Sequence, residues 1–283
     1  MADTSARISE VVIPAAGLGT RMREITGGKP KELLLLGGKP LIQYTIEEAY
    51  RAGIRKFVVI IRKDKDVLRQ HLEKGEGVQG VCEDGLMSLE EVRRRSSFHF
   101  CYQEEPTGEA DAIALARDYI EGEALGIIYP DNLAFPTGKL MQGLVETYEY
   151  LGEDVLGLVT VSPETAKGMG DSGHLDLEPL GDDLYRIKRF LPKNRGPFRL
   201  RFPGELRSTG FSVSRREIFS VIEKLKGRRG EGEFIDIHFR EEILRERPLY
   251  GRLFRGRVFD AGNPEGYRQC RKFLDSGVEA ISD

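Results

Sequence analysis

Apolar residues follow two rhythms along this chain. Short β-branched or aliphatic runs at 11–14 (VVIP), 56–61 (KFVVII), 98–103, 125–129 (LGIIY), 155–161, 207–213 and 249–254 have the length of strands. Between them, stretches at 41–52, 65–74, 110–119, 138–151, 216–226, 235–246 and 264–274 space their apolar residues as helices do. Strands separated by helices predict an α/β layer fold with a mostly parallel sheet. Gly53 is placed to close the first of these helices. Residues 75–97 interrupt the alternation, with a helical stretch at 89–95. Residues 174–180 and 184–190 are predicted as a hairpin around Gly181-Asp182-Asp183.

Composition narrows the class. The chain has 283 residues, long enough for one large domain with a sizeable core, and no composition break or low-complexity linker divides it. Lys and Arg number 43 against 46 Asp and Glu, so no global basic field exists to hold nucleic acid, and any anion site must be local. The three cysteines, Cys82, Cys101 and Cys270, lack the spacing of a zinc or redox motif. The four histidines lack HxxxH and HExxH spacing, and His71, on a charged helix, is expected at the surface. The N-terminal residues lack the apolar core of a signal peptide, and no apolar stretch is long enough to span a membrane. These features predict a cytoplasmic protein. They leave self-association open.

Chemistry concentrates after the first strand. The loop Ala15-Ala16-Gly17-Leu18-Gly19-Thr20 offers small residues where backbone can approach a ligand, Arg21 follows, and Lys31 lies one short excursion later. Backbone donors, a hydroxyl and two cations together describe a polyphosphate site. Taken singly, Gly17 and Gly19 also suit an ordinary turn, and Arg21 and Lys31 also suit a solvated surface. A dinucleotide fingerprint would need a third glycine where Met22 stands, and the Walker loop's Lys-Ser or Lys-Thr is missing. Downstream, Asp131 ends the strand at 125–129, where α/β sheets bind ligands, and an Asx-type turn at Pro130-Asp131-Asn132 is the alternative reading. Asp260, in Val258-Phe259-Asp260-Ala261-Gly262, ends another strand-like run and also suits a turn or helix cap.

In order and spacing, Gly17-Leu18-Gly19-Thr20-Arg21, Pro30-Lys31-Glu32 and Lys39-Pro40-Leu41-Ile42-Gln43-Tyr44 resemble the sugar-1-phosphate nucleotidyltransferases, in particular the bacterial-type UTP–glucose-1-phosphate uridylyltransferases. The resemblance covers nearly the whole chain. It implies a single domain with a Rossmann-like, mostly parallel mixed sheet flanked by helices. Residues 1–135 would be mainly nucleotide-binding, and 136–283 mainly a sugar-binding insertion half with a second metal carboxylate. The implied partners are UTP and a sugar-1-phosphate, and the implied cofactor is Mg²⁺ on Asp131 and Asp260. Arg21 and Lys31 would act on the reacting phosphates, and Ala16, Gly17, Gly19, Thr20, Gln103 and Gly108 would bind the nucleotide. Gln103 can donate and accept at once, so it suits the imide edge of uracil or thymine alike. That keeps dTTP-dependent thymidylyl transfer as an alternative.

At the sugar end, Gly173 and Gly210 resemble residues lining the family's pocket. The family's Glu-Lys-Pro motif is altered: aligning Pro192 puts Phe190 and Leu191 at the Glu and Lys positions. Lys188, Arg189 or Lys193 would then supply the cation for the sugar phosphate. A regulatory protein that binds a nucleotide sugar without turning it over is the rival this substitution suggests. No hexapeptide repeat follows, unlike the bifunctional relatives.

Overall fold

The computed structural model describes residues 8–74, 88–170, 173–192, 196–226 and 233–277. In chain order its strands are β1 (Glu10–Pro14), β2 (Leu35–Leu36), β3 (Lys39–Pro40), β4 (Lys56–Ile61), β5 (Ser97–Tyr102), β6 (Ala124–Ile128), β7 (Asn132–Phe135), β8 (Val155–Thr160), β9 (Leu175–Gly181), β10 (Leu184–Phe190), β11 (Leu206–Arg215), β12 (Tyr250–Phe254) and β13 (Arg257–Asp260). Nine of them form one sheet in the order β5-β4-β1-β6-β11-β8-β12-β10-β9. Only β10 and β11 run against the rest, so the sheet is mixed and mostly parallel.

Burial on both faces explains the unbroken apolar runs. In β1, Val11 and Ile13 join one core and Val12 the opposite one, and all three are fully buried. Helices Leu41–Arg51 and Lys139–Leu151 cover the first face, and helices Glu109–Ala114, Ile218–Lys226 and Asp236–Glu246 cover the second. Such coverage is what a largely parallel sheet requires. The predicted hairpin is present as β9 and β10. The predicted 110–119 helix ends at Ala114 and continues only as a 3₁₀ turn, Arg117–Tyr119.

Several short elements had no signature in the pattern, among them β2, β3, helix Pro163–Lys167 and strand β7. Strand β7 pairs with β13 in a separate antiparallel ribbon, in the register Asn132↔Asp260. His71, expected outside, is buried, because it shares with Leu68 and Leu72 the three-and-four spacing of the inward helix face. Cys101 and Cys270 are buried and free, while Cys82 lies outside the described residues.

One buried carboxylate ties the two helices of the first face together. Helix Lys139–Leu151 starts at Gly138, which has no side-chain cap of its own. Glu48, from helix Leu41–Arg51, instead accepts the Gly138 N–H and, at 2.8 Å, the Met141 N–H. It satisfies donors that a helix start would otherwise leave orphaned. Burial pushes the Glu48 carboxyl up to about 7, against the downward pull of these N–H groups. Among the described residues, no helix is long and apolar enough to cross a membrane.

Candidate active site

A cavity of about 700 Å³ opens where β1 and β6 end, the edge at which α/β sheets hold ligands. Ala16, Gly17, Gly19, Thr20, Arg21 and Lys31 all line it. The loop turns through Gly19 in the left-handed region (φ 64°), and a side chain there would meet the stem of Lys31. Lys31 begins a 3₁₀ turn whose next residue, Glu32, is almost fully buried. Glu32 pairs with Lys65 at 2.9 Å, and Lys65 also donates to the Ala15 carbonyl at 2.8 Å. The Pro-Lys-Glu segment is thereby clamped to the glycine loop, with Lys31 left facing the cavity.

The β7–β13 ribbon brings the two distant aspartates to the same place. Asp131 directly precedes β7, Asp260 ends β13 opposite Asn132, and the Asp131 carbonyl accepts the Ala261 N–H at 2.7 Å. A side chain on Gly262 would collide with Asp131 Oδ2 and lie 3.0 Å from Asp260 Oδ1, so the two carboxylates border one small space. Asp260 Oδ1 accepts from Gly262 N and Oδ2 from Gly170 N, each at 3.0 Å. Lys31 Nζ donates to Asp131 Oδ2 at 2.5 Å. Arg21 reaches across, its Nη1 only 2.6 Å from where a Gly170 side chain would begin. The structure therefore gathers Arg21, Lys31, Asp131 and Asp260.

The charges sort the two acids. Burial pushes both carboxyls up. At Asp131 the adjacent Lys31 ammonium outweighs burial and holds the group below its ordinary range. Asp260, next to the charge of Asp131 and only partly offset by Arg207, stays raised. Burial lowers Lys31, but Asp131 and Glu32 more than reverse this, so it remains a cation.

Two carboxylates that both border Gly262 suit magnesium. That ion binds through one or two carboxylates and leaves its other positions to phosphate oxygens and water. Among the described residues, no cluster of three or more His, Cys, Asp or Glu side chains competes with this pair.

At one end of the cavity, Gln103 donates its side-chain N–H to the Gly108 carbonyl at 3.1 Å, and that carbonyl also takes the Ala112 N–H. The carbonyl of Gly108 is thus occupied internally. Gly108 itself (φ 128°) lies so near Phe234 that a side chain would strike its backbone. At the other end, Gly173 and Gly210 line the cavity together with Phe190.

Lys188 is a correction. The structure holds it on the exposed face of β10, paired with Glu178 at 3.1 Å and away from the cavity. Arg189 is likewise exposed and bound to Asp176. The cause is a register shift between Ile187 and Arg189, which breaks the two-residue alternation and turns both cations outward. Lys193 lies outside the described residues. The cavity lining also includes polar residues outside the predicted set, among them Tyr129, Arg207 and Arg240. Arg207 stands at the start of a strand-like run and Arg240 sits mid-helix. A charge in a buried element was the available signal for both.

Comparison with known proteins places these features in context. The sequence model described as Nucleotidyl transferase matches residues 10–277. The UTP–glucose-1-phosphate uridylyltransferase YngB of Bacillus subtilis (strain 168) is 28% identical over 92% of this chain and 87% of its own length. A second uridylyltransferase of that name from the same organism is 30% identical, over 92% of this chain and 89% of its own. A crystal structure of UDP-glucose pyrophosphorylase complexed with UDP-glucose superposes with a TM-score of 0.79, covering 95% of this chain and 99% of its own at 23% identity. At that identity the superposition speaks to the fold.

Proposed function

The chain belongs to the nucleotidyl transferase family, and from that premise we propose that it transfers a uridylyl group from UTP to glucose-1-phosphate, forming UDP-glucose and releasing pyrophosphate. The observation carrying this reading is the meeting of Asp131 and Asp260 with Lys31 and Arg21 beside the glycine loop. A phosphate oxygen of the sugar phosphate attacks the α-phosphorus, and the bond to pyrophosphate breaks in line. The work of the protein is then alignment and charge stabilisation. Arg21 and Lys31 neutralise the phosphates, and the loop at 15–20 offers backbone donors. Asp131 and Asp260 would hold Mg²⁺, whose chemistry there is to offset charge on the phosphates. No covalent enzyme intermediate is involved.

In this reading residues 1–135 serve mainly the nucleotide and 136–283 mainly the sugar and the second carboxylate. The second acceptable nucleotide is dTTP, because Gln103 meets an edge that uracil and thymine share. The test is pyrophosphate release from each of UTP, dTTP, CTP, GTP and ATP with a panel of sugar-1-phosphates in Mg²⁺. The reading expects UTP with glucose-1-phosphate to lead. A preference for GTP or ATP would overturn the base assignment, and no turnover with any pair would favour a nucleotide-sugar sensor.

A further inference from the structure

We infer that Tyr129 and Arg240 form a polar floor that recognises the hydroxyls of the sugar ring, a role resting on the sugar-1-phosphate reading above. Both residues meet the cavity beside β11. The Tyr129 N–H donates to the Gly210 carbonyl at 3.1 Å, and a side chain on Gly210 would lie 3.3 Å from the Tyr129 ring. Arg240 donates to Ser212 Oγ at 3.1 Å, two residues further along the strand, and its Nε donates to Asp236 Oδ2 at 3.4 Å. Yet, among the described residues, Tyr129 Oη and Arg240 Nη1 are buried without a hydrogen-bond partner. Leaving two buried donors unpaired is costly, and a ligand in the cavity would relieve it.

The shape of the surroundings selects the ligand. Leu156, Leu175 and Phe190 belong to one apolar cluster and form another part of the cavity wall. A pyranose has an apolar C–H face and a rim of hydroxyls, which matches an apolar wall with a polar floor. Arg240 already has a carboxylate neighbour in Asp236, so its spare N–H suits a neutral hydroxyl oxygen better than a second anion. The polar recognition that Phe190 and Leu191 lack at the end of β10 is thereby moved to the residue after β6 and to helix Asp236–Glu246.

Tyr129→Phe removes one oxygen and preserves the ring, and Arg240→Met removes the spare donor together with the bonds to Ser212 and Asp236. Each should raise KM for glucose-1-phosphate about tenfold or more, the loss of one buried hydrogen bond, while KM for UTP stays within about twofold. Calorimetry gives a second readout: affinity for UDP-glucose should fall by a similar factor and affinity for UMP should not. Sugar KM and UDP-glucose affinity unchanged in Tyr129→Phe would overturn the inference. So would equal losses for UMP and UDP-glucose in both variants, since that marks general damage. If the wild-type chain turns over no substrate pair, the functional reading fails, and the calorimetric comparison still decides the role of these two residues.

Discussion

Glu48 offers a prediction that can be worked through from its surroundings. Its carboxyl is fully buried and raised from 4.5 to about 7. Between those values the folded chain keeps a proton that the unfolded chain has released. The folded state then binds more protons, so stability falls as pH rises through this window, and the whole loss is present above it. The interval corresponds to about 3 kcal/mol. Glu48→Gln stays neutral throughout and should remove this dependence. Gln has only one acceptor oxygen for the Gly138 and Met141 N–H groups, so the variant also carries a pH-independent penalty of about 1–3 kcal/mol. The informative quantity is therefore the stability difference between variant and wild type, measured by urea denaturation from pH 4.5 to 8. That difference should move by about 3 kcal/mol in favour of the variant as pH rises. Parallel profiles, constant to within about 0.5 kcal/mol, would refute the reasoning.

Gly262→Ala tests the shared space between the carboxylates without removing a charge. Its Cβ would collide with Asp131 and touch Asp260, so turnover should fall about a hundredfold while the melting temperature moves little. Unchanged turnover would mean that the two acids need not stay close. Arg21→Met removes a cation from the phosphate end and should lower kcat by about 10²–10³, as loss of one preorganised donor does. Full activity in that variant would dismiss Arg21 from the site.

What could be read from the sequence follows from how local each feature is. The strand at β1 and the helices around it were legible because burial on two faces leaves a continuous apolar run, and amphipathic helices keep a fixed period. Strand β7 was not. The four residues that start at the Asn of Pro130-Asp131-Asn132 gain strand character only by pairing with β13, far along the chain. The nearness of Asp131 to Asp260 is a consequence of that register, so the sequence could suggest two acids through resemblance but could not derive their meeting. Lys188 shows the opposite failure. The alternation of LYRIKRF does not reveal the register shift that turns Lys188 and Arg189 outward together. Tyr129 and Arg240 look in the sequence like ordinary members of a strand end and a helix, and their place on the cavity with buried unpaired atoms comes from the tertiary fold.

The central claim is that one centre, built on Asp131 and Asp260, carries out uridylyl transfer. The initial rate of pyrophosphate release from UTP and glucose-1-phosphate, measured in Mg²⁺ for the wild-type chain beside Asp131→Asn and Asp260→Asn, tests it most directly. Both substitutions keep the side-chain shape and remove the charge. The account predicts robust release by the wild type that is lost when Mg²⁺ is chelated, and rates at least about a hundredfold lower in each variant. Wild-type rates in both variants would contradict it.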